Sequence, residues 1–138
     1  MNISHQGIGT NNAVTYALDQ SLRVPIHSQG TFEHFEKIVT TGTAPGTVVL
    51  GGAYYFLGVI VDLSPRGDSV SVEMSGYNWV KGITQGVNYG DLVTCVPGGT
   101  LAPIATPGYP SEDEKRHGCW RVDQVGDGKL LIVIDRYL

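Results

Sequence analysis

Apolar and polar residues alternate singly along most of this chain, which is the mark of strands that bury one face. The clearest run sets Val70, Val72 and Met74 against Ser69, Ser71, Glu73 and Ser75, and predicts a half-exposed strand. Val14, Tyr16 and Leu18 alternate with Thr15 and Ala17, and Leu22 and Val24 flank Arg23, so two short strands are expected around a turn or bulge at Asp19-Gln20-Ser21. Thr47 to Leu50 and Tyr54 to Asp62 read as apolar strands, with Gly51-Gly52 allowing a reversal or bulge between them. Further strands are expected around Trp79 and Val80, over Asp91 to Val96, at Leu101 to Ile104, at Cys119 to Val122 and from Lys129 to Tyr137. Pro103 places its strand at an edge or an end.

Turn chemistry separates these runs. Ser64-Pro65-Arg66-Gly67-Asp68, Pro97-Gly98-Gly99 and Gly126-Asp127-Gly128 are strong turn signals, and Gly86 to Gly90 reads as a loop. Gly30 to Thr41 is ambiguous: Phe32, Phe35 and Ile38 fit a helical face capped by Thr31, but Lys37 to Thr40 fits a strand, and mostly strand is expected. Residues 1–12 show neither period and are expected to form an extended arm, with residues 13–138 as a single β domain. Residues 105–117, with two prolines and five consecutive charges, read as a solvent loop. Ile38 to Val61 carries no charge, yet Pro45 and five glycines argue against a spanning helix, so no membrane is expected as a partner.

A weak repeat runs through the pattern at an offset of 60 residues. Gly58, Ile60, Val70, Val72 and Met74 align with Gly118, Trp120, Leu130, Ile132 and Ile134, so two hairpin units closing one core are one reading; chance similarity between hairpins is the other.

Composition sharpens the class. Charged residues make up 16% of the chain and 19 of its 138 residues are glycine. Glycine costs a helix interior roughly 1 kcal/mol relative to alanine, whereas many short strands need positive-φ turns. The expected fold is therefore all-β, a small β-barrel, β-tulip-like or sandwich domain. The net charge of −4 builds no basic stripe, so nucleic acid is not an expected partner. The first residues show no secretory signal, which points to synthesis in a cytoplasm, where Cys95 and Cys119 would stay reduced more often than paired.

The chemistry-bearing residues point away from catalysis. There is no Gly-x-Ser-x-Gly elbow. His27 and His34 with Glu33 and Glu36 are the one grouping suggestive of a metal, and a chance grouping on a polar face explains them better; Cys95 and Cys119 lack zinc-ligand spacing. Gly7-Ile8-Gly9-Thr10 lacks the strand and lysine of a phosphate loop, and Arg66-Gly67-Asp68 is what a tight turn favours. Asp62 and Asp123 cannot be paired from sequence. The expectation is no catalytic residue, no metal and no cofactor.

From Phe56 onward the order of motifs resembles the phage capsid decoration (cement) proteins. The residues that carry the resemblance are Leu57-Gly58-Val59-Ile60, the glycine-aspartate turn and the alternating strand after it, Gly90-Asp91-Leu92-Val93, and the closing run Leu130 to Ile134. The resemblance covers about 80 residues; residues 1–55 match loosely, and Gly30 to Glu36 and Ser111 to Arg116 look like additions. It implies a structural virion protein, made in the host cytoplasm, that sits on an icosahedral head. There it would bridge neighbouring major capsid proteins as a homo-oligomer, trimer favoured over dimer. Capsid contacts are expected from Ile3, Ile8 and Thr10 in the arm. Self-association is expected from Tyr54, Tyr55, Trp79, Trp120 and Tyr137. The alternatives are a head-completion or tail protein, a carbohydrate-binding β module stacking sugars on Trp79, Tyr77 and Tyr89, or a small hydrolase using His34 or His117.

Overall fold

In a computed structural model that describes residues 13–51, 56–104 and 119–134, the chain is all-β. Among the described residues ten strands form: β1 (Ala13–Leu18), β2 (Ile38–Thr41), β3 (Thr47–Leu50), β4 (Gly58–Leu63), β5 (Ser69–Glu73), β6 (Gly76–Lys81), β7 (Leu92–Val96), β8 (Thr100–Pro103), β9 (Cys119–Val125) and β10 (Lys129–Ile134). No helix among the described residues is long and apolar enough to cross a membrane.

The strands make two sheets of five. The first closes into a barrel in the order β1-β3-β2-β4-β5, and the second runs β6-β10-β9-β7-β8. A parallel bridge from Gly82 to Leu101 brings the second sheet back onto its own first strand. Both units therefore share one cyclic topology, first strand beside third and fifth, second beside third and fourth.

The correspondence holds in register. Tyr16–Val70 matches Val80–Leu130, Val39–Leu50 matches Val93–Pro103, and Ile60–Val72 matches Val122–Ile132. The parallel contact Leu18–Val48 matches Gly82–Leu101. Even the irregularities coincide: both hairpins, β4–β5 and β9–β10, shift register at equivalent pairs. Outside the ladders, Glu36 N donates to Ile60 O at 2.9 Å as Gly90 N does to Val122 O at 2.8 Å, and Asp19 N to Val48 O as Ile83 N to Leu101 O, both at 3.0 Å. The offset between copies is 60 residues for β5 and β10 but 62 for β4 and β9, because the first hairpin turn is two residues longer. The structural partner of Ile60 is thus Val122, not Trp120.

Each unit fills its interior largely with equivalent side chains: Val39, Val48, Ile60, Val70 and Val72 pack in the first, and Val93, Leu101, Val122, Leu130 and Ile132 in the second. Leu18, whose equivalent is Gly82, and Val80, whose equivalent is Tyr16, add to the two cores from different positions. Ile38 and Val59, on the outer face of the first barrel, join the core of the second. That explains the unbroken apolar pairs Ile38-Val39 and Val59-Ile60: one residue of each pair faces each core, so strict alternation is lost where both faces are buried.

Three expectations are corrected. Leu22 and Val24 lie in no strand, because Gln20–Leu22 forms a 3-10 turn whose Asp19 side chain accepts from Ser21 N. Gly30 to Thr41 is mostly not strand: a 3-10 turn spans Gln29–Thr31 and β2 begins only at Ile38. The strand at Ser69–Glu73 is not half exposed, since Glu73 is buried and Ser69 and Ser71 are partly covered.

Candidate functional site

The two units meet through a wall and a turn. The wall belongs to the first barrel: the end of its loop at Glu36, the start of β2 at Ile38, and Val59 on β4. The turn is Pro97-Gly98-Gly99, between β7 and β8. Ile38 N donates to Gly99 O at 2.8 Å, and Gly99 N to Gly51 O at 2.9 Å, so the turn's backbone is stitched onto the sheet. Gly99 is required there, because it has φ of +80° and a Cβ would lie 2.5 Å from Ile38 O. Lys81 N donates to Glu36 O at 2.8 Å, the Lys129 ammonium lies 3.4 Å from the Glu36 carboxylate, and Phe56 meets Trp120 edge-on at 4.7 Å.

The second unit carries the same wall, and no other described element packs on it. Tyr89, Gly90, Arg121, Asp123 and Val133 line a cleft of about 420 Å³ on it. Their register equivalents in the first barrel are Phe35, Glu36, Val59, Val61 and Glu73. Val59 and Glu73 are 1% and 6% exposed, while Val133 is 40% and Tyr89 77% exposed. Phe35 packs on Phe32 at 5.0 Å between ring centres, whereas its counterpart Tyr89 stands in solvent. An exposed tyrosine and valine beside Arg121, whose guanidinium donates to Gly90 O at 3.0 Å, make a surface suited to a protein partner.

A second cleft, about 410 Å³, lies at the junction of the units and is lined by Glu36, Lys81, Thr100, Asp127 and Lys129, with Gly82, Ile83 and Gly128. Three of its four charged side chains are already engaged: Lys129 pairs with Glu36 and lies 5.3 Å from the Trp79 ring centre, and Lys81 Nζ donates to Glu33 O at 3.2 Å. This arrangement ties the units together.

Of the residues singled out from sequence, Trp120 is buried and packs on Phe56, so it offers no outer contact. Trp79 is half-buried beneath Lys129 and alternates with inward-facing Val80, which puts it with Tyr77 on the outer face of β6. Ile3, Ile8, Thr10, Tyr54, Tyr55, His117 and Tyr137 lie outside the described residues. His34 touches Phe32 edge-on, and its Nδ1 lies 3.2 Å from the Lys37 ammonium. Burial and then Lys37 hold its pKa below the usual histidine value. Among the described residues no group of three or more His, Cys, Asp or Glu is placed to hold a metal. Cys95 and Cys119 form no disulfide with each other: Thr94 pairs with Cys119 across β7 and β9, so neighbouring Cys95 projects to the opposite face and the two do not face one another. Asp62 and Asp123 sit in different sheets.

Sequence reading missed the Tyr89–Arg121–Val133 face. The signal was present, since Glu36-Lys37-Ile38-Val39 is the first copy of Gly90-Asp91-Leu92-Val93, but Glu36 hides the glycine of the pattern. Comparison with protein-family models and with curated proteins finds no match to this chain.

Proposed function

We propose that the protein is a capsid decoration protein, binding the outer surface of an icosahedral phage head and stabilising it by bridging neighbouring major capsid subunits. The observation that carries this reading is the duplication: one chain holds two five-stranded units of matching strand order and register, the first a closed barrel and the second a sheet brought back on itself by a single parallel bridge. A bridge between identical subunits needs two like surfaces held at a fixed separation, and a tandem barrel has that form. The motif order behind the resemblance falls on the duplicated parts, on β4, β5, the entry to β7, and β10.

Modest contacts suffice for such a role, because an interface of about 800 Å² per partner repeated over a shell adds up without any single tight site. The arm, Met1 to Asn12, supplies a further attachment through backbone strand addition. The test is to add the protein to heads that lack it and to measure the temperature at which they release DNA. A rise of several degrees with saturating occupancy supports the reading; no binding, or binding without a rise, overturns it. Removing residues 1–12 is expected to lower occupancy on the heads and leave the melting temperature of the free protein unchanged.

A further inference from the structure

The contact inside the chain has two halves, a wall on one barrel and a turn on the other, and duplication leaves one unused copy of each. The unused wall is the Tyr89–Arg121–Val133 face of the second barrel. The unused turn is Ala44-Pro45-Gly46 in the first barrel, the register equivalent of Pro97-Gly98-Gly99. Gly46 has φ of +75° against +80° for Gly99, so the two turns agree at their last residue, although Pro45 stands where Gly98 has φ of +99°. Their surroundings differ. Gly99 is buried against Ile38, while Gly46 is exposed and a Cβ on it would meet nothing within 4 Å.

We infer that a second copy of this chain fills the vacancy, the Ala44–Gly46 turn of one molecule seating on the Tyr89–Arg121–Val133 wall of the next. The charges favour this occupant. Within the chain the wall supplies the acid, Glu36, and the turn side the lysine, Lys129. Between chains the signs reverse at the central position: the wall supplies Arg121, and the turn side carries Asp68, next to the Lys129 equivalent Ser69, and Asp19, two residues from the Lys81 equivalent Ala17 and bonded to Ser21, with Arg23 and Arg66 beside these acids. The wall's own acid, Asp123, sits two residues along β9 from Arg121. The contact is heterologous, so it propagates in one direction and either closes into a ring or runs on as a filament. In a closed ring every barrel contact along the chain and between chains has the same form. The inference rests on the internal duplication and not on the capsid reading.

The test uses two variants at exposed positions, Tyr89→Glu on the wall and Ala44→Glu beside the turn. Light scattering after gel filtration is expected to show an oligomer for the parent and a monomer for each variant, with melting temperatures of the two variants equal within 2–3 degrees, roughly what surface substitutions allow. Mixing the two variants is the decisive step. Each retains the half that the other has lost, so the mixture forms a one-to-one dimer and grows no further. A parent that stays monomeric at its highest soluble concentration overturns the inference. So does an oligomer that survives Ala44→Glu, since that contact would be wall to wall or elsewhere. Binding to heads is read separately, so failure of either proposal leaves the other standing or falling on its own measurement.

Discussion

Glu36 is the one non-glycine among the described residues with positive φ, at 62°. A side chain there costs about 1–3 kcal/mol, and duplication explains why the position demands that backbone: its counterpart is Gly90, at 87°. Replacing Glu36 with glycine removes the strain but frees the unfolded chain and loses the partly exposed pair with Lys129, worth about 0–1 kcal/mol. Its denaturant midpoint is therefore expected near that of the parent, whereas Glu36→Val, β-branched at positive φ, should lose about 2 kcal/mol or more. Cys95 gives a pH signature. Burial pushes its thiol up to about 11 from 9.0. A raised thiol pKa means the fold prefers the neutral form, so this contribution is complete below pH 9 and is lost as pH rises from 9 through 11. Melting temperature measured across that window should fall less steeply in Cys95→Val than in the parent.

The paired hairpins show what pattern reading catches and what it loses. Val70, Val72, Leu130 and Ile132 are buried in their alternating strands as expected, and each turn of glycine and aspartate lies where its composition placed it. Alternation failed in two circumstances. At Leu22 and Val24 the period is right but no neighbouring strand is available to pair, so local turn bonds from Asp19 take over. At Ser69–Glu73 the pattern reported only the inner face, and the outer face is covered by contacts that no periodicity encodes. The repeat was legible through β5 and β10, yet a fixed offset mispaired β4 with β9 because the longer first turn inserts two residues. Gly58 on β4 marks another limit. A Cβ there would run into Glu73 O, so Gly58→Ala should lower the denaturant midpoint clearly, by about 1–3 kcal/mol of overpacking, while the open position Gly30 should accept alanine.

For the whole molecule, Ile38 and Val59 make the two barrels one cooperative body, since they leave the first sheet and pack within the second core. Ile60→Ala in the first core and Ile132→Ala in the second should each cost about 2–5 kcal/mol. Both should shift a single transition, so that Trp120 fluorescence and far-ultraviolet circular dichroism move together. Two separated transitions would mean that the wall contact is too weak to couple the units. The same rigidity is what the proposed bridging role requires, because two surfaces can hold two capsid subunits together only if the link between them does not yield. The most direct measurement is an electron-microscopic reconstruction of heads saturated with the protein. A bridging chain is expected to show a two-lobed density, its lobes resting on different capsid subunits and each lobe touching a neighbouring chain. Density seated on a single subunit, or none on the head surface, would contradict it.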